Sequence, residues 1–447
     1  MTTPSLADLA RDLRAGRTTA TALTEAALAA ARLDAYRTRD PARTRAVAAA
    51  ADAALAAGAD LGPLQGIPTS VKDLYGVPGW PTHAGTARRL PAGFEAAGPV
   101  VAALCAQLAP VAGKTHTVEL AFGGIGTNPH AGTPVNPWDA ARHRVPGGSS
   151  AGAGVSLQEG SAHLALGTDT AGSVRIPAAW TATVGLKTTA GRWSTAGIVP
   201  LSPTLDTAGI LARTVADAAF AFAALGHADP VPEPVDLGRV RVGRVASVFW
   251  DGLSPGVGEA VEAALGELPW RPADVALPVD EALALFRAGG PVAAELDAFL
   301  EHALPDVRPG LDPNVAARVA DAGTLPVREY LLRRHQLRDL ALRAAAAFEH
   351  ADVIVAPTVA NTPPPVADVA DPAAYRAQNG LCLRNTAVVS YLGLCAISLP
   401  CGLDAEGMPV GLQLVAAPHR EEQLLGVALA VERALGTADQ RLGRPPR

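Results

Sequence analysis

Apolar residues recur along this chain at two spacings, and the alternation between them sets the expected architecture. Ser5–Gly16 and Thr18–Gly58 are alanine-rich with apolar positions at helical intervals; Thr18 and Thr21 offer caps and Gly58 a stop. Leu64–Lys72 reads as a turn and then a buried strand that ends in a lysine. Val77–Phe94 is rich in proline and glycine and reads as a surface loop. Pro99–Ala109 is expected to be a helix, followed by a strand near Pro110–Gly113, and Gly123–Trp138 is another glycine and proline loop. Further helices are expected at Val215–Leu225, Gly256–Leu265, Asp280–Phe286, Ala293–His302, Val327–His350 and Glu421–Leu435, with a Pro-rich break at His227–Glu233. Val240–Phe249, Asp352–Pro357, Leu383–Gly402 and Val410–Ala416 are expected to supply strands. Strands mixed with helices throughout, with no clean linker and no repeat, predict one large α/β unit.

Composition narrows the function classes. Of the 447 residues 49% are hydrophobic and 18% charged, ample for a large core. A net charge of −6 with scattered arginines gives no electrostatic case for a nucleic-acid partner. Only the last ten residues, Ala438–Arg447, form a small basic tail, expected to be frayed. The first residues alternate charged and apolar positions, unlike a signal peptide. No run of about 18 residues is apolar enough to span a membrane. Cys105, Cys382, Cys395 and Cys401 fit free thiols in a reducing compartment, so a cytoplasmic location is expected. No metal site is expected: Cys395 and Cys401 have the wrong spacing for a zinc knuckle, and none of the ten histidines falls in a metal-binding motif. His116, His130 and His143 lie in loops and read as solvated, with contact to substrate as the alternative.

The candidate chemistry is concentrated in Val145–Val199. Two serine clusters, Ser149–Ser150 and Ser173, sit in glycine-rich surroundings with an apolar, helix-like segment between them. Glycine at this density suits a site built from backbone N–H groups. Three readings compete. Gly148-Ser149-Ser150-Ala151-Gly152 matches the G-x-S-x-G elbow with Ser150 as nucleophile, but that needs a strand directly before it, and Asp139–Pro146 is charged and ends in proline. A plain glycine turn with solvated serines is the second. The third is a serine nucleophile served by a lysine base, with Lys72 as the lysine. Gly113-Lys114-Thr115 is no phosphate loop, because Leu108 stands where that motif needs glycine.

The same residues resemble the amidase signature family of Ser-Ser-Lys amidohydrolases. The resemblance rests on Gly147-Gly148-Ser149-Ser150-Ala151-Gly152, on Gly167-Thr168-Asp169-Thr170-Ala171-Gly172-Ser173-Val174-Arg175-Ile176-Pro177-Ala178, and on Val184-Gly185-Leu186-Lys187-Thr188-Thr189-Ala190-Gly191-Arg192. Gly66-Ile67-Pro68-Thr69-Ser70-Val71-Lys72-Asp73 matches the segment that carries the family's lysine. Ser149 and Ser173 are 24 apart (173 − 149), the separation the family uses. The match is close over Leu64–Asp217 and looser toward the C-terminus. Ala151 and Ala171 stand where the pattern usually has glycine, and His116 where it has asparagine.

The resemblance implies a mixed sheet of about ten strands sandwiched by helices, in one amidase domain over 1–447. Within it, 1–60 would form outer helices, 64–217 the signature core, 240–357 a variable substrate-shaping region and 358–437 the closing strands and helix. It implies that Ser173 attacks an amide carbonyl, that Ser149 bridges to Lys72, and that Lys72 is neutral and takes the proton. The Gly148–Ser149 peptide would be cis. Thr170, Ala171 and Gly172 would offer N–H groups to the oxyanion, while Asp169 and Arg175 pair to stiffen the loop and Ser150 hydrogen-bonds near Lys72. The expected reaction releases ammonia or an amine from a small-molecule amide by way of an acyl-serine, without a cofactor, in a monomer or homodimer. The alternative is the A subunit of a tRNA-dependent amidotransferase, which shares the three residues and works inside a complex.

Overall fold

A computed structural model describes residues 4–226 and 232–446. Its centre is one mixed sheet of eleven strands, in line with the mixed sheet of about ten that the resemblance implies. In chain order these are β1 (Tyr36–Thr38), β2 (Thr69–Lys72), β3 (Val111–Thr115), β4 (Leu164–Asp169), β5 (Val184–Lys187), β6 (Thr207–Ala212), β7 (Val242–Arg244), β8 (Ala273–Asp274), β9 (Val353–Pro357), β10 (Cys395–Leu403) and β11 (Pro409–Ala416). They lie in the order β1-β3-β2-β4-β6-β5-β10-β11-β9-β7-β8.

Both faces of the sheet are covered, and strand periodicity shows how. Along β10, Cys395, Ile397, Leu399 and Cys401 enter one core cluster and Ala396 the other; along β9, Val353 and Val355 part from Ile354 and Ala356 in the same way. The first cluster packs against the helices Leu6–Arg14, Val215–Gly226 and Glu421–Leu435. The second packs against Val279–Arg287, Val292–Ala303 and Val327–Ala346. Among the described residues no helix is long and apolar enough to cross a membrane.

Several expectations need correction. The helical run at 18–58 is interrupted by β1, which pairs with β3, because Tyr36 is buried there and its hydroxyl bonds Ser161. Thr19 caps the helix Ala20–Ala30 rather than Thr18 or Thr21; Thr21 Oγ1 instead donates to Asp52. The segment around Val77–Phe94 is irregular but not superficial, since Val77, Trp80, Ala84 and Leu90 are buried. Of Val240–Phe249 only β7 is strand. Leu383–Tyr391 is helix, the end of Pro372–Tyr391, and only the part from Cys395 on pairs in the sheet; Asp371 caps that helix at the Ala373 and Ala374 N–H groups. The C-terminal residues are not frayed at their start: Ala438–Arg441 is helical, Ala438 is buried, and Arg441 bonds the Cys401 carbonyl and pairs with Glu267. Most of the break expected at His227–Glu233 lies outside the described residues.

Candidate active site

The register of three neighbouring strands brings the candidate residues together. β2 runs parallel to β3 on one side and to β4 on the other, with Val71 opposite Lys114 and Leu166. Lys72 and Thr168 are therefore delivered to the same end of the sheet, where the C-terminal ends of parallel strands open onto a crevice. Lys72 is completely buried, and its Nζ donates to Ser149 Oγ at 2.7 Å and to Thr168 Oγ1 at 2.8 Å. Burial drives the lysine pKa down to about 7 against the smaller upward pull of Asp169 and Asp206. Asp73, its sequence neighbour, turns away and pairs with Lys114 at 3.0 Å.

Ser149 and Ser150 open the helix Ala151–Glu159 after a cis Gly148–Ser149 peptide bond, the isomer the family resemblance implies. The Gly148 N–H donates to Gly124 O, and Ser149 O accepts from Val118 N–H, so the turn is fixed from both sides. A Cβ on Gly152 would lie 1.9 Å from Ala35 O, which makes glycine obligatory there. Ala151 and Ala171 lie outside the left-handed region, so alanine replaces the usual glycine at both without backbone strain. Ser150 does not reach Lys72. Its Oγ donates to Thr168 O at 3.4 Å, and its N–H bonds Ser173 O at 3.3 Å, tying the two serine segments together.

Ser173 follows β4 on a tightly braced turn. Asp169 and Arg175 form the expected buried pair, bidentate at 2.9 Å on each arm. Burial alone would raise the Asp169 carboxyl, but Arg175 outweighs it and holds the pKa below the usual value. The remaining Arg175 donors reach Gln413 and Ser390, so its charge is satisfied. Asp169 Oδ1 also accepts the Gly172 N–H at 2.6 Å, which commits that amide to the brace. Gly172 has φ +138°, and a Cβ there would meet Thr386 Oγ1 at 2.1 Å. The Thr386 hydroxyl binds Ala171 O, and Thr170 Oγ1 donates to Asp206.

Thr168 and Asp206 were missed in the sequence. Thr168 lies inside the Gly167-Thr168-Asp169 motif, yet no spacing rule marks it as a partner of Lys72. Asp206 is half-buried, and its desolvation moves its pKa up to about 6 against the hydrogen bonds from Thr170, Ser202 and Leu201. None of the three loop histidines is a solvated bystander. His116 is buried, with its backbone bridging Ala35 and Gly152; His130 Nε2 lies 3.1 Å from Glu119; and His143 bonds Thr133 O. Ser173, Thr170 and Ala171 line a cleft of about 490 Å³, which the three histidines do not reach. Ser173 is 4% exposed, enough to touch the cleft while the residues around it stay in the core.

The chain resembles known proteins over nearly its whole length. The family described as Amidase matches residues 17–425. The 2-amino-5-chloromuconic acid deaminase of Comamonas testosteroni is 51% identical over 99% of this chain and 98% of its own. The A subunit of the glutamyl-tRNA(Gln) amidotransferase of Salinispora arenicola is more remote, 36% identical over 87% of each chain. A solved structure described as an amidase superposes with a TM-score of 0.86 at 32% identity, over 97% of this chain and all of that one. With fold and sequence agreeing along the chain, the protein belongs to the amidase signature family and is a hydrolase of carbon–nitrogen bonds other than peptide bonds.

Proposed function

We propose that Ser173, Ser149 and Lys72 form a proton relay that hydrolyses its substrate through an acyl-Ser173 intermediate. The observation that carries this reading is Lys72: a completely buried amine at a pKa of about 7, held by two hydroxyls and no carboxylate. A neutral amine has a lone pair free to accept the Ser149 proton as Ser149 takes that of Ser173. Ser173 Oγ then forms a bond to the carbonyl carbon, and the relay returns the proton to the leaving nitrogen, which departs as ammonia or amine. Water repeats the sequence on the ester and frees the acid.

Because the Gly172 N–H is bound to Asp169, Thr170 and Ala171 are the better donors to the oxyanion. Asp169 and Arg175 brace the loop, and Ser150 acts on the turn rather than on Lys72. The region 240–357 of a single 1–447 unit walls the substrate's entry, since Phe286, Arg287 and Arg318 reach the cleft. The enzyme is read as cytoplasmic, a monomer or homodimer without a nucleic-acid partner, in keeping with its four free cysteines and net charge of −6. The amidotransferase reading has weaker support, 36% identity against 51%. A fluorophosphonate probe followed by peptide mass spectrometry tests the assignment: the adduct is expected on Ser173 and absent in Ser173→Ala. An adduct on Ser150 would restore the nucleophile-elbow reading. The purified chain alone is expected to release ammonia, which a protein dependent on its complex would not do efficiently.

A further inference from the structure

The wall of the cleft facing Ser173 carries charge of one sign. Arg287, Arg318 and Arg333 line it, and no aspartate or glutamate does among the described residues. Arg333 is spoken for: it pairs with Glu329 and donates to the carbonyls of Ala288 and Gly290, holding the glycine turn at the rim. Arg318 and Arg287 have no ion-pair partner among the described residues.

Arg318 is the more telling of the two. Its guanidinium lies 3.5 Å over the ring of Phe122 and gives one Nη1 bond to Phe122 O at 2.9 Å, and among the described residues the rest of its fork has no partner. Burial lowers its pKa, and the opposing influences are the tyrosines 375 and 391 and Cys382, not a carboxylate. A half-buried guanidinium that meets no counter-charge among the described residues is costly, and the cost is recovered when an anion arrives. Its position is built in: Glu119 accepts the Asp312 N–H at 2.7 Å at the start of Arg318's helix, Pro313–Ala320, and Val118 N–H binds Ser149 O. One short segment, 118–122, thus connects the Ser149 turn to the arginine. Arg287 stands on a separate helix, Val279–Arg287, and is exposed at the same wall.

We infer that Arg318 and Arg287 form a carboxylate-binding subsite in the cleft above Ser173, so that the substrate is an anionic small molecule, with Arg318 holding a carboxylate of the molecule whose C–N bond is cleaved. The planar fork of arginine matches a carboxylate in a way lysine does not. The inference rests on the proposed Ser173 chemistry only for the orientation of that substrate. It adds two specificity-determining residues, neither of which the sequence had marked.

Isothermal titration with cis,cis-muconate, an unreactive diacid, and with its dimethyl ester tests this directly. Wild-type protein is expected to bind the diacid at least tenfold more tightly than the ester, with the difference shrinking as salt rises. Arg318→Met is expected to weaken diacid binding at least tenfold and Arg287→Met several-fold, with the ester affected by neither. Arg318→Lys keeps the charge and loses the fork, and is expected to fall between; melting curves confirm that each variant is folded, and Arg287→Met carries the test if Arg318→Met is not. Equal binding of diacid and ester, no saturable diacid binding to wild type, or unchanged diacid affinity in the folded variants would overturn the subsite. The Ser173 reading is scored separately: diacid binding that persists in a protein whose Ser173 takes no fluorophosphonate label would remove the nucleophile and leave the arginines standing.

Discussion

Lys72 and Lys114 lie on neighbouring strands of one sheet, both completely buried, and their surroundings give them different work. Lys114 sits 3.0 Å from Asp73 and donates to Thr82 Oγ1 at 3.0 Å. Lys72, one position from that aspartate in sequence, has only the hydroxyls of Ser149 and Thr168. Burial disfavours the charged form of both amines, but at Lys114 the adjacent carboxylate acts against it. The difference teaches that burial alone does not make a lysine a base. What matters is which partner the strand's alternation turns toward it: at Asp73 a carboxylate goes to the Lys114 side, and Lys72 is left with neutral oxygen.

Exchanging the properties of the two lysines gives the largest expected effect. Lys72→Ala is expected to lower kcat roughly 10⁴-fold, read by ammonia release, with Ser149→Ala costing less because base and nucleophile remain. Lys72→Arg should not rescue, since arginine stays charged; substantial activity in that variant would make Lys72 a fixed charge and end the relay. Asp73→Asn acts on the other lysine. It leaves Lys114 buried and unpaired, and is expected to reduce stability by about 3–5 kcal/mol in chemical denaturation while the folded fraction keeps its turnover. Loss of activity without loss of stability would mean that the two lysines are not separate in function.

The pH profile sharpens the contrast at a smaller scale. In the proposed relay the active form of Lys72 is the deprotonated one, and its pKa is lowered to about 7. Activity should therefore rise about tenfold per pH unit below that value and level off above it, as kcat measured from pH 5 to 9 will show. Thr168→Val is the mildest change. It removes an acceptor that supports the charged amine, so about a tenfold loss in kcat is expected, with the inflection displaced to lower pH. An inflection that stays in place would show that Thr168 does not act on the lysine.

The signature segment was legible because its chemistry is local. Glycines 148 and 172, the serine spacing and the Asp169–Arg175 pair are short-range demands of a turn: φ +138° at Gly172, no room for a Cβ at Gly152, a guanidinium six residues from its carboxylate. Elements with weak local signals were misread. Tyr36–Thr38 has too few residues to show a period, and only pairing with β3 makes it a strand. Leu383–Tyr391 is apolar enough for a buried strand, and the Asp371 cap, well upstream of it, decides for helix.

By itself the sequence determined the α/β class, the family and the residues able to carry the chemistry, because each depends on residue types at fixed short spacings. The tertiary structure alone decided which of them meet. Thr168 became the second partner of Lys72 because β2 lies beside β4 in this register. The Gly172 amide was claimed by Asp169 because the turn folds back on its own strand. Arg318 and Arg287, more than a hundred residues beyond Ser173 and on separate helices, came to share its cleft. Partners that far apart in the chain carry no mutual periodicity, and only the packing of helices on a sheet face fixes the distance between them.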